Sequence, residues 1–244
     1  MSPLLCSIDT IDLQFTADYY INLRWYDGRL VFKDLNTKSL LNGVQTADLQ
    51  RLWSPQLAFI NALGPYQTKV DDLSVATIVL ERSPRSDDLS QSLEYYGFDA
   101  YTNAINLERE YYQDFACEFD LYYYPFDTQV RHKDIKPPSN LTTAVQVCHM
   151  VFALQGFTKE FIALQQDGLG VEYRGKKHLL EYEIQDWRFF LDNSGEMSQA
   201  EVKIVFRRNI EFHLFGVFLQ QYLLIAVGFL TYFFEVIIHS FSTE

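Results

Sequence analysis

Apolar and polar residues alternate along residues 11–25. The odd positions carry apolar side chains, whereas the even positions carry polar ones apart from Tyr20. A period of two is typical of a β-strand that presents one face to a core. The segment is therefore predicted to form one half-buried strand, or two strands joined by a tight bend.

Further strand-like runs follow, and segments rich in turn residues separate several of them. The predicted strands are residues 73–81, 104–111, 115–122, 147–154, 181–191 and 201–208. Residues 46–53 are predicted to hold a short turn or helix. Many short strands with this punctuation indicate an all-β fold built as an antiparallel sandwich.

The C-terminal region has a different pattern. Residues 214–238 are almost entirely apolar, with Glu235 as their one charged residue. A stretch of this length is predicted to span a membrane as a helix, although a buried core helix has a similar composition. Arg207 and Arg208 precede it, and the positive-inside rule alone would place the preceding domain in the cytoplasm. The N-terminus shows no recognisable signal peptide.

Composition, net charge and the absence of known motifs argue against several classes of function. The chain of 244 residues is 48% hydrophobic and 16% aromatic, which is sufficient for a large core. Its net charge of −12 argues against binding to nucleic acid, which requires a basic face. We find no glycine-rich phosphate loop, no histidine spacing typical of metal sites and no nucleophile motif. We therefore expect no enzyme activity, no metal site and no cofactor.

The spacing of two cysteines depends on an apparent insertion. Cys117 and Cys148 enclose 30 residues, and Gln-Val occurs both at 129–130 and at 146–147. Removal of the 17 residues 130–146 leaves 13 residues between the cysteines. With this spacing, the sequence resembles the Cys-loop receptors, which are pentameric ligand-gated ion channels. The family's aromatic-Pro-Phe-Asp core is matched by Tyr124, Pro125, Phe126 and Asp127.

Other positions carry the same resemblance over residues 8–238. The family's Trp-x-Asp-x-Arg-Leu pattern is matched by Trp25, Asp27 and Arg29, and a second tryptophan motif is matched by Trp53, Pro55 and Asn61. Arg207 and Arg208 match the arginine pair that leads into the first transmembrane helix. Two positions depart from the family, because Gln56 replaces an Asp and Gln220 replaces a Pro.

The resemblance implies a domain organisation and a role. Residues 1–210 would form an extracellular ligand-binding domain, an Ig-like β-sandwich of about ten strands. Residues 211–238 would form the first transmembrane helix and residues 239–244 a truncated tail. This orientation at the plasma membrane overrides the charge rule. The chain would be a truncated subunit of a neurotransmitter-gated ion channel that lacks the pore helix, or a non-conducting decoy that pairs with other subunits.

The resemblance also implies a disulfide between Cys117 and Cys148, which would hold the turn at residues 124–127 against the membrane domain for gating. Free cysteines in a cytosolic protein are the alternative. The insert at 130–146 is either a true loop insertion, which costs little closure entropy, or a translated intron. It contains a glycosylation sequon at Asn140.

The implied partners are a small-molecule agonist and further subunits that form a homo- or hetero-pentamer. In the family, the agonist binds between subunits in an aromatic cage, where cation–π attraction recognises an amine. The matching positions here are Tyr20 on one face and Ile60, Gln155 and Phe157 on the other, with Phe189 and Phe190 beside a capping loop at 191–200. Because Ile60 and Gln155 are not aromatic and the capping loop contains no aromatic residue, much of the cage is predicted to be absent.

Overall fold

The computed structural model describes residues 2–81, 97–119, 121–122, 124, 145–168, 170–173, 175–179 and 181–241. Eleven strands lie within these residues: β1 Ser2–Asp9, β2 Gln14–Trp25, β3 Val31–Lys33, β4 Gly43–Val44, β5 Leu57–Phe59, β6 Val75–Val79, β7 Gly97–Asp99, β8 Ala104–Ala116, β9 Val145–Leu154, β10 Tyr182–Asp192 and β11 Gln199–Arg208. The predicted short helix is α1, Thr46–Leu49. The all-β prediction is confirmed.

The strands form two main sheets. One sheet has the order β1-β2-β8-β6-β4 and the other has the order β10-β11-β9-β5, while β3 and β7 form a small ribbon. The longest pairing is antiparallel between β2 and β8, from Gln14 opposite Ala116 to Trp25 opposite Ile105. This pairing fixes which side chains of the two strands face the core.

Two predicted strands are shorter in the structure, and the first observed strand was not predicted. The strand predicted at 11–25 begins only at Gln14, because residues 10–13 form a turn in which Leu13 has φ 53°. The Asp9 carboxylate stabilises this turn by accepting the backbone N–H of Ile11 at 2.8 Å. The strand predicted at 73–81 covers only Val75–Val79. Strand β1 was not predicted, because its segment lacks a regular alternation.

The strands predicted at 104–111 and 115–122 are instead one 13-residue strand, β8, which ends at Ala116. The polar residues Gln113 and Asp114 suggested a break. Gln113 is buried, however, and its Oε1 accepts the hydroxyl of Tyr19 at 3.0 Å, while its Nε2 donates to the Pro65 carbonyl at 2.6 Å. Asp114 accepts the hydroxyl of Thr16 at 2.6 Å. Their hydrogen bonds make both residues compatible with a continuous strand.

The chain divides into two compact units. The first comprises Met1–Glu118, His149–Lys176 and Trp187–Lys203. Its core is aromatic: the Tyr19 ring lies 5.7 Å from that of Tyr111, 5.9 Å from that of Phe152 and 6.4 Å from that of Phe59. Because Tyr19 belongs to one main sheet and Phe152 to the other, these contacts join the two sheets as a sandwich.

The second unit comprises Phe119–Cys148, Lys177–Asp186 and Ile204–Glu244. Its buried residues include Ile184, Ile204 and Phe206. After Asn209, the chain becomes helical through α2, Ile210–His213, a π-helical turn, Leu214–Phe218, and α3, Leu219–Phe241. Residues Ile210–Tyr232 are long and apolar enough to cross a membrane, and their apolar side chains are exposed rather than packed in a core.

Candidate functional site

Tyr20 lies on the outer face of β2, directly opposite Glu110 of β8. Its side chain is 39% exposed, and its hydroxyl donates a hydrogen bond of 2.6 Å to Oε1 of Glu110. That hydrogen bond raises the pKa of the Tyr20 hydroxyl, with smaller contributions from burial and from nearby carboxylates. Tyr20 therefore presents its ring at an acidic surface.

Asp18 belongs to the same face, one pleat before Tyr20. Burial raises the pKa of the Asp18 carboxyl, and the charge of Glu110 raises it further. Glu108 also contributes a negative charge beside Tyr20. We call Asp18, Tyr20, Glu108 and Glu110 the acidic face. It disfavours anions and favours cations.

The motif at residues 25–29 is structural. Trp25 is buried and packs in a cluster with Leu49 and Ile105. Two residues later, the Asp27 carboxylate accepts bonds from Nε and Nη2 of Arg29, at 2.7 and 2.6 Å. The hydrogen bonds from Arg29 lower the pKa of Asp27. This bidentate pair closes the tight turn that follows β2.

Asn61 links the segment after β5 to the end of β8 and to β9. Its Nδ2 donates to the His149 carbonyl at 2.7 Å and to the Ala116 carbonyl at 3.2 Å, and its Oδ1 accepts the N–H of Val151 at 3.0 Å. The adjacent residue, Ile60, is 55% exposed on the surface of the first unit. Ile60 thus offers an exposed apolar side chain at a position that the resemblance assigns to the agonist cage.

One open groove in the first unit has a volume of about 790 Å³ and is bordered by Trp53, Gln155 and Phe157. The rings of Trp53 and Phe157 meet edge to face, with centroids 5.9 Å apart. The Gln155 N–H donates to the Gln56 carbonyl at 2.9 Å, which joins the two segments. Pro55, which lies between Trp53 and Gln56 in the sequence, is half-buried. The structure therefore brings together Gln155 and Phe157, but Tyr20 and Ile60 do not line this groove.

Phe189 and Phe190 have separate surroundings. Phe189 packs against Gly170, where an added Cβ would lie 2.6 Å from Cδ1 of the ring and where φ is +73°. Phe190 is 37% exposed, and the Nζ of buried Lys203 lies 4.7 Å from its ring centroid. The cation on the Phe190 ring is therefore one that the chain itself supplies.

The predicted capping loop is a short turn between β10 and β11. The Asp192 carboxylate accepts the Ser194 N–H at 2.8 Å and its hydroxyl at 2.6 Å, which lowers the pKa of Asp192. The Lys159 ammonium donates to the Asn193 carbonyl at 2.9 Å. These bonds stabilise the turn within the first unit.

A second cluster lies in the second unit, where the chain enters the helix. Arg208 is 1% exposed, and its Cζ lies 4.6 Å from the ring centroid of Tyr124 and 4.7 Å from that of Tyr182. The Tyr124 hydroxyl lies 3.1 Å from Nδ1 of buried His213. We call Tyr124, Tyr182, Arg208 and His213 the arginine cluster. Arg207 is only half-buried and is not part of it.

Cys117 and Cys148 are both disulfide-bonded, as the resemblance implies. Cys117 follows β8 and Cys148 lies in β9, and both are buried. Gln146, the last residue of the predicted insert, is buried in β9. The remaining turn residues Pro125, Phe126 and Asp127, the insert up to residue 144 and Asn140 lie outside the described residues.

Several functional candidates could not be recognised from the sequence alone. Glu110 and His213 are 90 and 89 residues away from their partners Tyr20 and Tyr124. Only the β2–β8 register reveals the first pair. The alternation Leu107, Glu108, Arg109, Glu110 was a usable signal for outward-facing acids, but it could not identify the opposite residue.

Comparison with known proteins agrees with this fold. Residues 4–136 match the family described as the neurotransmitter-gated ion-channel ligand binding domain. A glutamate-gated chloride channel of Drosophila melanogaster is 21% identical over 236 residues, which cover 95% of this chain and 43% of the channel. This chain therefore spans less than half the length of that relative. The family match covers more than half of this chain, which therefore belongs to the neurotransmitter-gated ion-channel ligand-binding domain family.

Proposed function

We propose that this chain supplies the extracellular ligand-binding domain and first membrane helix of a ligand-gated ion-channel subunit. The observation that carries the proposal is the family match over a β-sandwich whose last strand leads, through Asn209, into a helix suited to a membrane. A ligand-binding domain joined directly to a membrane helix can transmit binding to a pore without a separate messenger.

The proposed setting is the plasma membrane, with residues 1–210 outside the cell and several subunits assembled as a pentamer. Two buried, disulfide-bonded cysteines support an oxidising compartment for the sandwich. The agonist would bind between subunits, with the acidic face on one side and the surface around Ile60 on the other.

We propose an amine as the agonist. The name of the Drosophila relative specifies glutamate as its ligand. The carboxylates of a glutamate ligand would be repelled by Asp18, Glu108 and Glu110 around Tyr20. A cationic amine would be attracted by the same carboxylates and by the exposed Tyr20 ring.

The arginine cluster is the proposed coupling element of the second unit. It connects Tyr124, from the turn that the resemblance assigns to gating, with Arg208 and His213 at the entrance to the helix. Movement of the turn would therefore displace the start of the helix, because buried packed groups shift together.

A chimera tests the proposal. Residues 1–209 would be joined to the membrane domain of the Drosophila channel, and currents would be recorded during application of acetylcholine, serotonin, tyramine and glutamate. We expect an amine to open the chimera and glutamate to fail, and Glu110→Gln to raise the half-activating amine concentration about tenfold, the scale for losing a charged partner.

The control is Glu172→Gln, an exposed acid elsewhere in the first unit, which should leave amine activation unchanged. Activation by glutamate alone would overturn the amine assignment. A chimera that reaches the cell surface and responds to none of the four would overturn the agonist-gated role. If the 244-residue chain then lowers the current of a co-expressed intact subunit, the non-conducting partner role is supported instead.

A further inference from the structure

The groove beside Trp53 has the form of a binding site contained within a single copy of the chain. It lies between the segment that follows α1, residues 67–71 and the residues after β9, all of which belong to the first unit. Its volume of about 790 Å³ lies within the range of small-molecule sites. No second subunit is needed to complete its walls.

One wall is aromatic. The Trp53 and Phe157 rings meet at an interplanar angle of 80°, and Phe157 remains 39% exposed. Gly156 has φ +80°, with no atom within 4 Å of the position that a Cβ would take. This left-handed residue turns the chain between Gln155 and Phe157, and no side chain fills the space beside it. The wall can therefore pack against a flat apolar group.

The groove also carries a set of glutamine amides, and within the described part of the chain their side chains make no hydrogen bond. Their backbones are engaged, as in the bond from the Gln155 N–H to the Gln56 carbonyl at 2.9 Å. Each free amide offers donors and an acceptor to a ligand. The four are Gln50, Gln56, Gln67 and Gln155.

The charges in the lining are not balanced. Asp71 is bonded through both carboxylate oxygens to Arg109, with the Nε–Oδ1 distance at 2.9 Å. Its negative charge is therefore compensated. Lys69 is exposed, and among the described residues its ammonium has no ion-pair partner. The groove thus presents one uncompensated positive charge on a chain whose net charge is −12.

We propose that this groove binds a small aromatic or apolar carboxylate. The carboxylate would lie at the Lys69 ammonium and the glutamine amides, and the apolar part would pack on Trp53 and Phe157. Gln155 and Phe157 also stand at positions that the resemblance assigns to the agonist cage, but binding in the groove requires neither a pore nor a neighbouring subunit. Its charge preference is also opposite to that of the acidic face.

Photolabelling of the full chain in detergent tests the site. The probe is 4-benzoylbenzoate, an aromatic carboxylate that forms a covalent bond with nearby C–H groups on irradiation. We expect saturable labelling that maps to residues 49–71 or 155–157. We expect 3-phenylpropanoate to compete with the probe, and the matched amine 3-phenylpropylamine not to compete.

Substitutions identify the groups responsible. Lys69→Met should raise the half-saturating probe concentration about tenfold, the scale for a charge-assisted contact. Gln67→Glu should weaken labelling similarly, because it adds a negative charge to the groove. The matched control Lys38→Met removes an exposed lysine outside the groove, and Tyr20→Phe alters only the acidic face; neither should change labelling.

Three results would overturn the proposal. They are labelling that does not saturate or that spreads over the surface, equal competition by the carboxylate and the amine, and an unchanged half-saturating concentration in both Lys69→Met and Gln67→Glu. Failure of the chimera to conduct would leave the groove intact. Failure of labelling would equally leave the channel proposal intact.

Discussion

The hydroxyl of Tyr124 lies 3.1 Å from Nδ1 of His213, in a contact between residues that are 89 positions apart. The two rings meet edge to face at 5.1 Å. His213 is 4% exposed and belongs to the first helical turn after β11. The hydrogen bond therefore fastens the turn at Tyr124 to the start of the helical segment, within the second unit.

Tyr124→Phe is expected to lower the free energy of unfolding of the second unit by about 1 kcal/mol, because it removes one hydrogen bond and keeps the ring contacts. Thermal unfolding of the chain in detergent measures this change. Tyr112→Phe is the control, because Tyr112 is 70% exposed and its hydroxyl has no partner in the described residues. If Tyr124→Phe and Tyr112→Phe unfold at the same temperature, the hydrogen bond between Tyr124 and His213 does not stabilise the second unit.

Arg208→Lys should cost about 2 kcal/mol of stability. The lysine keeps the charge but loses the planar group that lies between the Tyr124 and Tyr182 rings. Arg207→Lys, at a half-buried position outside the arginine cluster, should change stability by less than about 0.5 kcal/mol. Chemical denaturation of both variants checks the difference. If the two variants prove equally stable, the ring contacts of Arg208 contribute nothing measurable.

Sequence patterns predicted the strands whose faces differ clearly. Alternation identified β2, and the apolar runs identified β9, β10 and β11 with small errors at their ends. The patterns failed at Gln113, a polar residue whose hydrogen bonds allow it to be buried within a strand. They also failed at Leu13, an apolar residue that lies in a turn instead of a strand. A short strand such as β5 derives its structure from pairing with β9, which a local pattern does not contain.

The candidate sites were less predictable than the fold. Family motifs identified Tyr20, Tyr124 and Arg208, but the groups that define their chemistry are distant in sequence. Glu110 becomes visible only through the register of β8, and Lys69 only through the shape of the groove. Motifs identify residue types at fixed spacing, whereas charge balance depends on which strands are neighbours.

The disulfide is expected to contribute about 3.5 kcal/mol to stability, because it closes a loop of some thirty residues in the unfolded chain. The double variant Cys117→Ser with Cys148→Ser should lose that amount in chemical denaturation. Reduced wild-type chain is the control, and it should unfold at the same denaturant concentration as the variant. A variant as stable as the oxidised wild type would show that the bond does not constrain the unfolded chain.

Asp27→Asn should destabilise the chain at neutral pH and have little effect in acid. Arg29 lowers the pKa of Asp27, so the native state favours the ionised carboxylate. The stabilisation is present above the unfolded pKa of about 3.9 and is lost as the pH falls through the lower folded value. Unfolding midpoints measured between neutral and acidic pH should therefore converge for wild type and variant. A constant gap across that range would contradict the linkage.

Asp18→Asn should have the opposite sign. Burial and the charge of Glu110 raise the pKa of Asp18, so its ionised form is disfavoured in the native state. This penalty is absent at low pH and develops as the pH rises through the folded pKa. The variant should therefore be more stable than wild type at neutral pH, by about 0.5 kcal/mol for a partly exposed pair, and equal to it in acid. Asp12→Asn removes the same charge from an exposed turn, without Glu110 beside it, and corrects for the general effect of net charge.

If both variants gain the same stability at neutral pH, repulsion within the acidic face is not the cause. If only Asp18→Asn gains stability, the acidic face stores repulsion that a bound cation would relieve, which is the property an amine site requires.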